Sequence, residues 1–225
     1  MIKHCTAALA LAVTASAAHA DLAPIDLSSW NPLTLDYPGG QPAGSWSLEP
    51  GNEAVVQTVN ADPSFYLNGL NQTSYTINGS WQVLTGSDDD YMGFVFGYRN
   101  SSNFYLFDWK QGTQGYVGTT AAEGMTIKKF EGSTGDGLVD LGLDAFWENQ
   151  VDFGAMSVLA TNHSGTAGWA DGVLYDFTLD FNTTAGEFSI LVEEGSSVLW
   201  DVTVADSTFT AGQFGFYNYS QEQVR

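Results

Sequence analysis

The chain has 225 residues, with 26 acidic and 6 basic side chains and a formal net charge of −20 at pH 7. This charge argues against nucleic acid and anionic membranes as partners, because both are negative, and it favours cations. Gly, Ser, Thr, Asn and aromatic residues are abundant, and no window after residue 20 has a convincing helical apolar period. The composition therefore predicts an all-β protein.

Residues 1–20 have the pattern of a secretory signal peptide. Lys3 supplies a positive start, residues 7–17 form a short apolar run, and Ala18-His19-Ala20 is a cleavage signal. The run is too short and too rich in alanine to span a membrane. We expect cleavage before Asp21 and a secreted or cell-surface protein. Cys5, the only cysteine, would leave with the signal, so the mature chain would have no disulfide.

After the signal, residues 21–50 form an irregular Pro/Gly-rich lead-in with one edge strand. Short segments with alternating or continuous apolar residues then predict strands. They are residues 53–60, 64–67, 74–84, 91–98, 103–109, 114–117, 125–130, 153–161, 173–181, 187–192, 198–204 and 213–219. Asn78-Gly79 marks a bulge or turn, residues 132–142 a loop, and residues 144–149 a short helix or turn. Residues 21–225 are thus predicted to form one β-sandwich or jelly-roll domain. Val224-Arg225 looks like the start of a further strand, so we expect the sequence to be truncated at its C-terminus.

The most specific stretch is Asp88–Gln111, which predicts a β-hairpin with an acidic loop before its first arm. Alternation places three aromatic residues on one face of each arm: Phe94, Phe96 and Tyr98 in the first, and Tyr105, Phe107 and Trp109 in the second. The opposite faces are also apolar, which is typical of strands covered on both sides. Asp108 falls on one of these apolar faces. A buried carboxylate needs a partner, and Lys110 is the nearest candidate.

The candidate metal ligands are Asp88, Asp89 and Asp90. Calcium takes six to eight oxygen ligands, largely from carboxylates and carbonyls. Asp88 and Asp90 could share a site, with Asp89 turned outward or bridging. The alternative is an exposed acidic turn screened by water and salt. The turns around Asp136–Asp140 and Asp171-Gly172 are weaker candidates, since turn formation alone explains them.

Catalytic patterns are poorly represented. His163 is the only histidine after the signal and lies in a predicted turn, which disfavours a catalytic triad or a two-histidine metal site. We find no pair of acids on one strand face suited to glycoside hydrolysis, and no nucleotide-binding loop. We therefore predict a non-enzymatic protein. Sugar binding on aromatic residues stays open, although core packing explains each candidate more simply. These candidates are Trp109, Trp147, Trp169, Trp200 and Tyr98.

The hairpin closely resembles the thrombospondin C-terminal domain. The resemblance rests on Asp88-Asp89-Asp90-Tyr91-x-Gly93-Phe94-Val95-Phe96-Gly97-Tyr98, followed by Ser101-Ser102-x-Phe104-Tyr105 and Trp109-Lys110-Gln111. It continues in order through four further blocks: Gly124-x-x-Ile127-Lys128 with Ser133-Thr134-Gly135, Ala145-x-Trp147, Gly168-Trp169, and Glu194-Gly195 with Gly215-x-x-x-x-Ser220-Gln221-Glu222. The resemblance implies a concanavalin A-like jelly-roll β-sandwich that is extracellular, binds calcium at Asp88–Asp90 and serves adhesion.

Together, these observations predict a secreted, calcium-binding, non-catalytic adhesion or surface-matrix module of bacterial type. Its partner would be an extracellular protein or glycan. The alternative prediction is a lectin-like module whose ligand is a carbohydrate.

Overall fold

The computed structural model describes residues 24–225, so the predicted signal peptide lies outside the described part. A 3-10 turn at Leu27–Ser29 precedes fifteen strands and two short helices. In chain order these are β1 (Asn31–Thr34), β2 (Trp46–Leu48), β3 (Val55–Gln57), β4 (Ser64–Leu67), β5 (Ser74–Gln82), β6 (Tyr91–Asn100), β7 (Asn103–Lys110), β8 (Gln114–Tyr116), β9 (Thr119–Ala121), β10 (Gly124–Glu131), α1 (Gly137–Asp140), α2 (Leu143–Trp147), β11 (Met156–Asn162), β12 (Leu174–Asn182), β13 (Glu187–Glu194), β14 (Ser197–Ala205) and β15 (Gln213–Tyr219). No helix within residues 24–225 has the length and apolar character needed to cross a membrane.

Two antiparallel sheets form the body of the fold. The larger has seven strands in the order β1-β4-β15-β6-β7-β10-β11, and the smaller has four in the order β14-β13-β12-β5. The predicted hairpin is β6–β7, and it lies near the middle of the larger sheet. The structure thus confirms the all-β sandwich that the alternating segments predict.

Trp81, on β5, joins the two sheets. Its ring stacks on Phe94 and Phe107 of the larger sheet at 5.6 and 5.5 Å, and on Phe177 of the smaller sheet at 4.4 Å. Only 2% of Trp81 is exposed. Alternation along each strand sends these aromatic residues to the same interior, which forms the main hydrophobic core.

A second apolar layer covers the opposite face of the larger sheet. Phe146 and Trp147 of α2 pack there against Phe104, Phe130 and Tyr91. Both faces of β6 and β7 are therefore buried, as predicted. Asp108 lies on this second face, but the prediction that Lys110 pairs with it is wrong. Its partner is Lys128 of β10, with Nζ 2.6 Å from Oδ2.

Tyr98 lies on the opposite face from the one that strict alternation predicts. Gly97 adopts a positive φ of +54°, and the register of β6 against β7 shifts between Phe96 and Asn100. Such a bulge moves every later side chain to the other face. Tyr98 consequently stacks on Phe104 in the second layer, at 5.5 Å, rather than joining Phe94 and Phe96.

Other element predictions need smaller corrections. Asn78-Gly79 lies inside an unbroken β5 whose register with β12 is regular, so it forms neither a bulge nor a turn. The loop predicted at residues 132–142 contains α1. The lead-in contains β1 and β2 instead of a single strand, and β9 was not predicted. The short helix expected within residues 144–149 is present as α2.

Candidate functional site

The acidic group Asp88–Asp90 lies immediately before β6. Each of its carboxylates offers an oxygen within 4.8 Å of the other two. Asp90 is buried, whereas Asp88 and Asp89 are partly exposed. The structure therefore brings the predicted ligands together in one group that has access to solvent.

Three contacts from distant segments hold Asp90. Its backbone amide donates to Gln221 Oε1 at 2.9 Å, and its carbonyl accepts from Trp169 Nε1 at 3.0 Å. Its carboxylate Oδ1 lies 2.6 Å from the ammonium of Lys110, which is wholly buried. Charges interact more strongly when they are removed from water, so one carboxylate of the group already has a close counter-charge.

Asp88, by contrast, carries a charge with no cationic partner among residues 24–225. Its Oδ2 accepts from Asn60 Nδ2 at 2.5 Å, and its Oδ1 accepts from the amide of Asp89 at 3.1 Å. Partial burial, followed by the negative charge of Asp90, raises the pKa of Asp88 to about 6. A carboxylate in this condition binds a proton or a cation more readily than a free one does.

Asn60 places a further oxygen beside the group. Its side-chain Oδ1 is buried and accepts no hydrogen bond in the described part of the chain, although Nδ2 of the same amide contacts Asp88. Leaving a buried carbonyl unpaired is costly, so a ligand that accepts its lone pair would be favoured. Carboxylate and amide oxygens are the donors that calcium prefers, so this donor set fits the ion.

The weaker acidic candidates already have hydrogen-bond partners in the protein. The carboxylate of Asp140 accepts from the backbone amides of Thr134 and Gly135, and it organises its own loop. Asp136 caps α1 by accepting from the amide of Leu138 at 3.0 Å. Asp171 accepts from Gln111 Nε2 at 3.3 Å. Asp140 and Asp136 are thus explained as turn and cap residues, and Asp171 bonds to a residue 60 positions away.

Most aromatic candidates for sugar binding are buried. Trp109, Trp147 and Trp169 are at most 2% exposed, and Tyr98 is 4% exposed, so none can present a ring to a glycan. Trp200 is half-buried on β14. An aromatic-lined cleft of about 540 Å³ lies elsewhere, between β5 and the lead-in. Trp30, Trp46 and Trp81 line this cleft.

His163 makes a structural contact. Its Nε2 lies 2.9 Å from the hydroxyl of Thr126, and it is half-buried. Burial and the nearby positive charge of Lys128 lower the pKa of His163. A neutral imidazole that bonds to a buried threonine is explained by packing without a catalytic role.

The family model of the thrombospondin C-terminal region matches residues 41–225. The chain belongs to this family. Thrombospondin-2 of Gallus gallus is 32% identical over 206 residues, which cover 88% of this chain and 17% of that protein. Thrombospondin-4 of Mus musculus is 30% identical over 212 residues, covering 91% of this chain and 22% of that protein. The thrombospondin C-terminal domain described here thus spans about a fifth of the length of the curated relatives it matches.

Two solved structures share the fold of this thrombospondin C-terminal domain. The carbohydrate binding module CBM66 from Bacillus subtilis aligns with a TM-score of 0.56 at 16% identity, over 87% of this chain and 90% of that one. A seed lectin of Lotus tetragonolobus aligns with a TM-score of 0.50 at 10% identity, over 88% of this chain and 89% of that one. The sandwich is therefore of the concanavalin A-like jelly-roll type, as predicted.

Four residues hold the acidic group in place, and none of them was assigned that role from the sequence. Lys110, Gln221 and Trp169 hold Asp90, and Asn60 contacts Asp88. They come from four separate segments, and only the topology brings them together. The one local signal was Lys110, a cation in a largely apolar strand, which needs an acidic partner when it is buried.

Proposed function

We propose that this chain is a secreted, calcium-binding, non-catalytic adhesion or surface-matrix module that binds an extracellular protein or glycan. The observation that carries the calcium assignment is the pair formed by Asp88 and Asn60. Asp88 supplies a partly buried carboxylate that has no cationic partner among residues 24–225. Asn60 supplies a buried side-chain carbonyl that accepts no hydrogen bond there. Membership of the thrombospondin C-terminal family supports the adhesive role.

Asp88, Asp89 and Asn60 would hold the ion, together with the oxygen of Asp90 that does not face Lys110. When bound, the ion would supply positive charge to a group of three carboxylates, of which one lysine, Lys110, contacts only two, those of Asp89 and Asp90. Residues of the protein itself position the loop that carries the acidic group. Trp169 and Gln221 fix Asp90 through its backbone, so the loop before β6 is tied to two other loops. Calcium binding would therefore stabilise that end of the sandwich.

We expect calcium to raise the melting temperature of the purified protein and EDTA to reverse the effect. At calcium 100-fold above its dissociation constant the rise should be about 5–10 °C. Asp88→Asn should abolish the response, whereas Asp176→Asn, which changes an exposed aspartate of β12, should retain it. Differential scanning calorimetry measures all three.

The stability of the protein and its response to calcium should both depend on pH. The folded-state pKa of Asp88 lies above its ordinary value of 3.8, so the calcium-free protein should gain stability as pH falls from 7 through about 6. Protons then compete with calcium, and the calcium effect should shrink. An unchanged melting temperature with calcium at pH 7 would refute the site assignment.

A carbohydrate-binding role is the second candidate, and the cleft beside β5 favours it. Three tryptophans line the cleft, but Trp30 and Trp81 are only 8% and 2% exposed, so the ring that a sugar could reach is that of the partly exposed Trp46. The indole nitrogen of Trp81 is a buried donor without an acceptor in residues 24–225. Aromatic faces combined with a few polar groups are typical of sugar sites. Glu53 and Asn78, which also line the cleft, would add polar contacts.

On a glycan array, we expect Trp46→Ala to weaken any specific binding by at least tenfold. Trp200→Ala removes another half-buried tryptophan outside the cleft and serves as the matched control. Binding that survives Trp46→Ala would place the sugar elsewhere, and a blank array for the wild type would count against this second function.

A further inference from the structure

Asp108 and Lys128 form a wholly buried pair on neighbouring strands of the larger sheet. Asp108 lies opposite Thr126 in the register of β7 and β10, and Lys128 lies opposite Leu106, so the two side chains meet diagonally. Nζ of Lys128 lies 2.6 Å from Oδ2 of Asp108, and both side chains have no exposed surface.

The contact differs from an ordinary hydrogen-bonded ion pair. Despite the 2.6 Å separation, neither oxygen of Asp108 has a hydrogen bond of acceptable alignment within residues 24–225. The aligned hydrogen bond of Lys128 goes instead to the carbonyl of Phe146, at 2.7 Å. The amine therefore approaches the carboxyl group outside the direction that a hydrogen bond takes.

Lys110 and Asp90 provide an internal comparison. Their Nζ–Oδ1 distance is also 2.6 Å, but that contact is an aligned hydrogen bond. Lys110 further donates to the carbonyl of Asp89 and to Gln114 Oε1. With Asp89 Oδ1 at 3.5 Å, four acceptors surround this ammonium, whereas Lys128 has one aligned acceptor and one misaligned carboxyl group.

Burial weakens both charges of the Asp108–Lys128 pair. Leu106 and Phe146 of the second layer are buried beside it. Burial is the largest cause that raises the pKa of Asp108, to about 6, and that lowers the pKa of Lys128, whereas the charge of each partner acts in the opposite direction. The ring of Tyr91, 5.0 Å from Nζ of Lys128, also favours the ammonium. The two pKa values lie closer together than in water, so transfer of one proton from the ammonium to the carboxylate costs less here than in solution.

We propose that Lys128 and Asp108 condense to an intramolecular isopeptide bond that joins β10 to β7. After the proton transfer, the lone pair of Nζ attacks Cγ of Asp108. The C–O bond to the protonated oxygen breaks, that oxygen takes a proton from the nitrogen, and one water leaves. The new bond is Nζ–Cγ. No oxidant, reductant or activating group is consumed.

Placement supplies the driving force for this step. Groups held in the correct geometry react as if present at about 10⁵–10⁸ M. A site that disfavours both ions also shifts the balance away from free lysine and aspartate, which are stable in water because they are charged. The product is a covalent tie between adjacent strands in a secreted chain whose only cysteine is Cys5.

Tryptic mapping of the purified full chain tests the bond. Trypsin should release residues 100–110 joined to residues 111–129, because a modified Lys128 resists cleavage and Lys129 becomes the next site. The branched product should weigh one water less than its two parts. Free peptides 100–110 and 111–128 from folded wild-type protein would overturn the proposal.

Three variants sharpen the test. Lys128→Met should eliminate both the branched peptide and the mass deficit of one water. Lys129→Met, which changes the neighbouring lysine, should keep that deficit in the intact protein. Asp108→Asn can condense with loss of ammonia instead of water, which yields the same amide, so its intact mass should equal that of the wild type. A mass deficit of one water that persists in folded Lys128→Met protein would assign the modification to other residues.

Discussion

Replacing Lys110 with methionine is expected to lower the free energy of unfolding by about 3–5 kcal/mol in the absence of calcium. The change leaves Asp90 buried and without its close counter-charge. It also removes the donors to Asp89 and Gln114 and the cation over the Trp147 ring, 4.6 Å away. Urea denaturation followed by circular dichroism measures the loss.

Calcium should restore part of that stability, because the freed carboxylate of Asp90 becomes available to the ion. Lys129→Met is the matched control. Lys129 bridges Asp206 and Glu131, both at 3.0 Å, but solvent reaches Lys129 and both of its partners, so the loss should be smaller, about 1 kcal/mol. Equal losses in the two variants, or no recovery with calcium, would contradict the link between Lys110 and the acidic group.

Trp81→Ala should cost about 3–5 kcal/mol, because a large buried ring is removed and the rigid neighbours can close only part of the cavity. Trp81 lies between Phe94, Phe107 and Phe177, so the loss affects both sheets. Thermal unfolding should therefore remain one transition at a lower temperature.

Trp200→Ala, on the half-buried face of β14, should cost clearly less. If Trp81→Ala remains folded, its calcium response should be unchanged, because Trp81 contacts no member of the acidic group. A variant as stable as the wild type would mean that the sheets do not depend on this contact.

Local patterns predicted the strands well. The alternation of apolar and polar residues in 187–192 and 198–204 corresponds to β13 and β14, and the continuous apolar run of β6 and β7 correctly indicated cover on both faces. The misplacement of Tyr98 has a local cause, since one positive φ at Gly97 reverses the later alternation. A glycine in a strand signals that such a bulge is possible but does not show that it occurs.

Long-range pairing was harder to predict. Asp108 was expected to be buried and paired with a cation, and it is. Its partner, however, is Lys128, which lies 20 residues away on the neighbouring strand, and not Lys110, two residues away. Residues two apart on one strand share a face, so Lys110 was a reasonable choice. Strand order decided the outcome, because β10 lies beside β7 and presents Lys128 to Asp108. No local pattern encodes that adjacency.

In the candidate site, too, the local residues could be predicted from the sequence and the distant ones could not. Asp88, Asp89 and Asp90 are adjacent in sequence, so their grouping follows from the sequence alone. Asn60 and Gln221 reach them from segments 28 and 131 residues away. The acids of a site can therefore be found in a sequence, whereas the neutral residues that complete it depend on the fold.

Trp147 and Trp169 are too deeply buried to act as sugar platforms, and their burial gives them another use. Trp169 donates to the carbonyl of Asp90, and the ring of Trp147 faces the ammonium of Lys110. Both indoles thus experience the electric field of the acidic group from inside the protein, where water does not screen it. We therefore expect calcium binding at the proposed site to change the tryptophan emission, so that binding could be followed without a dye or a label.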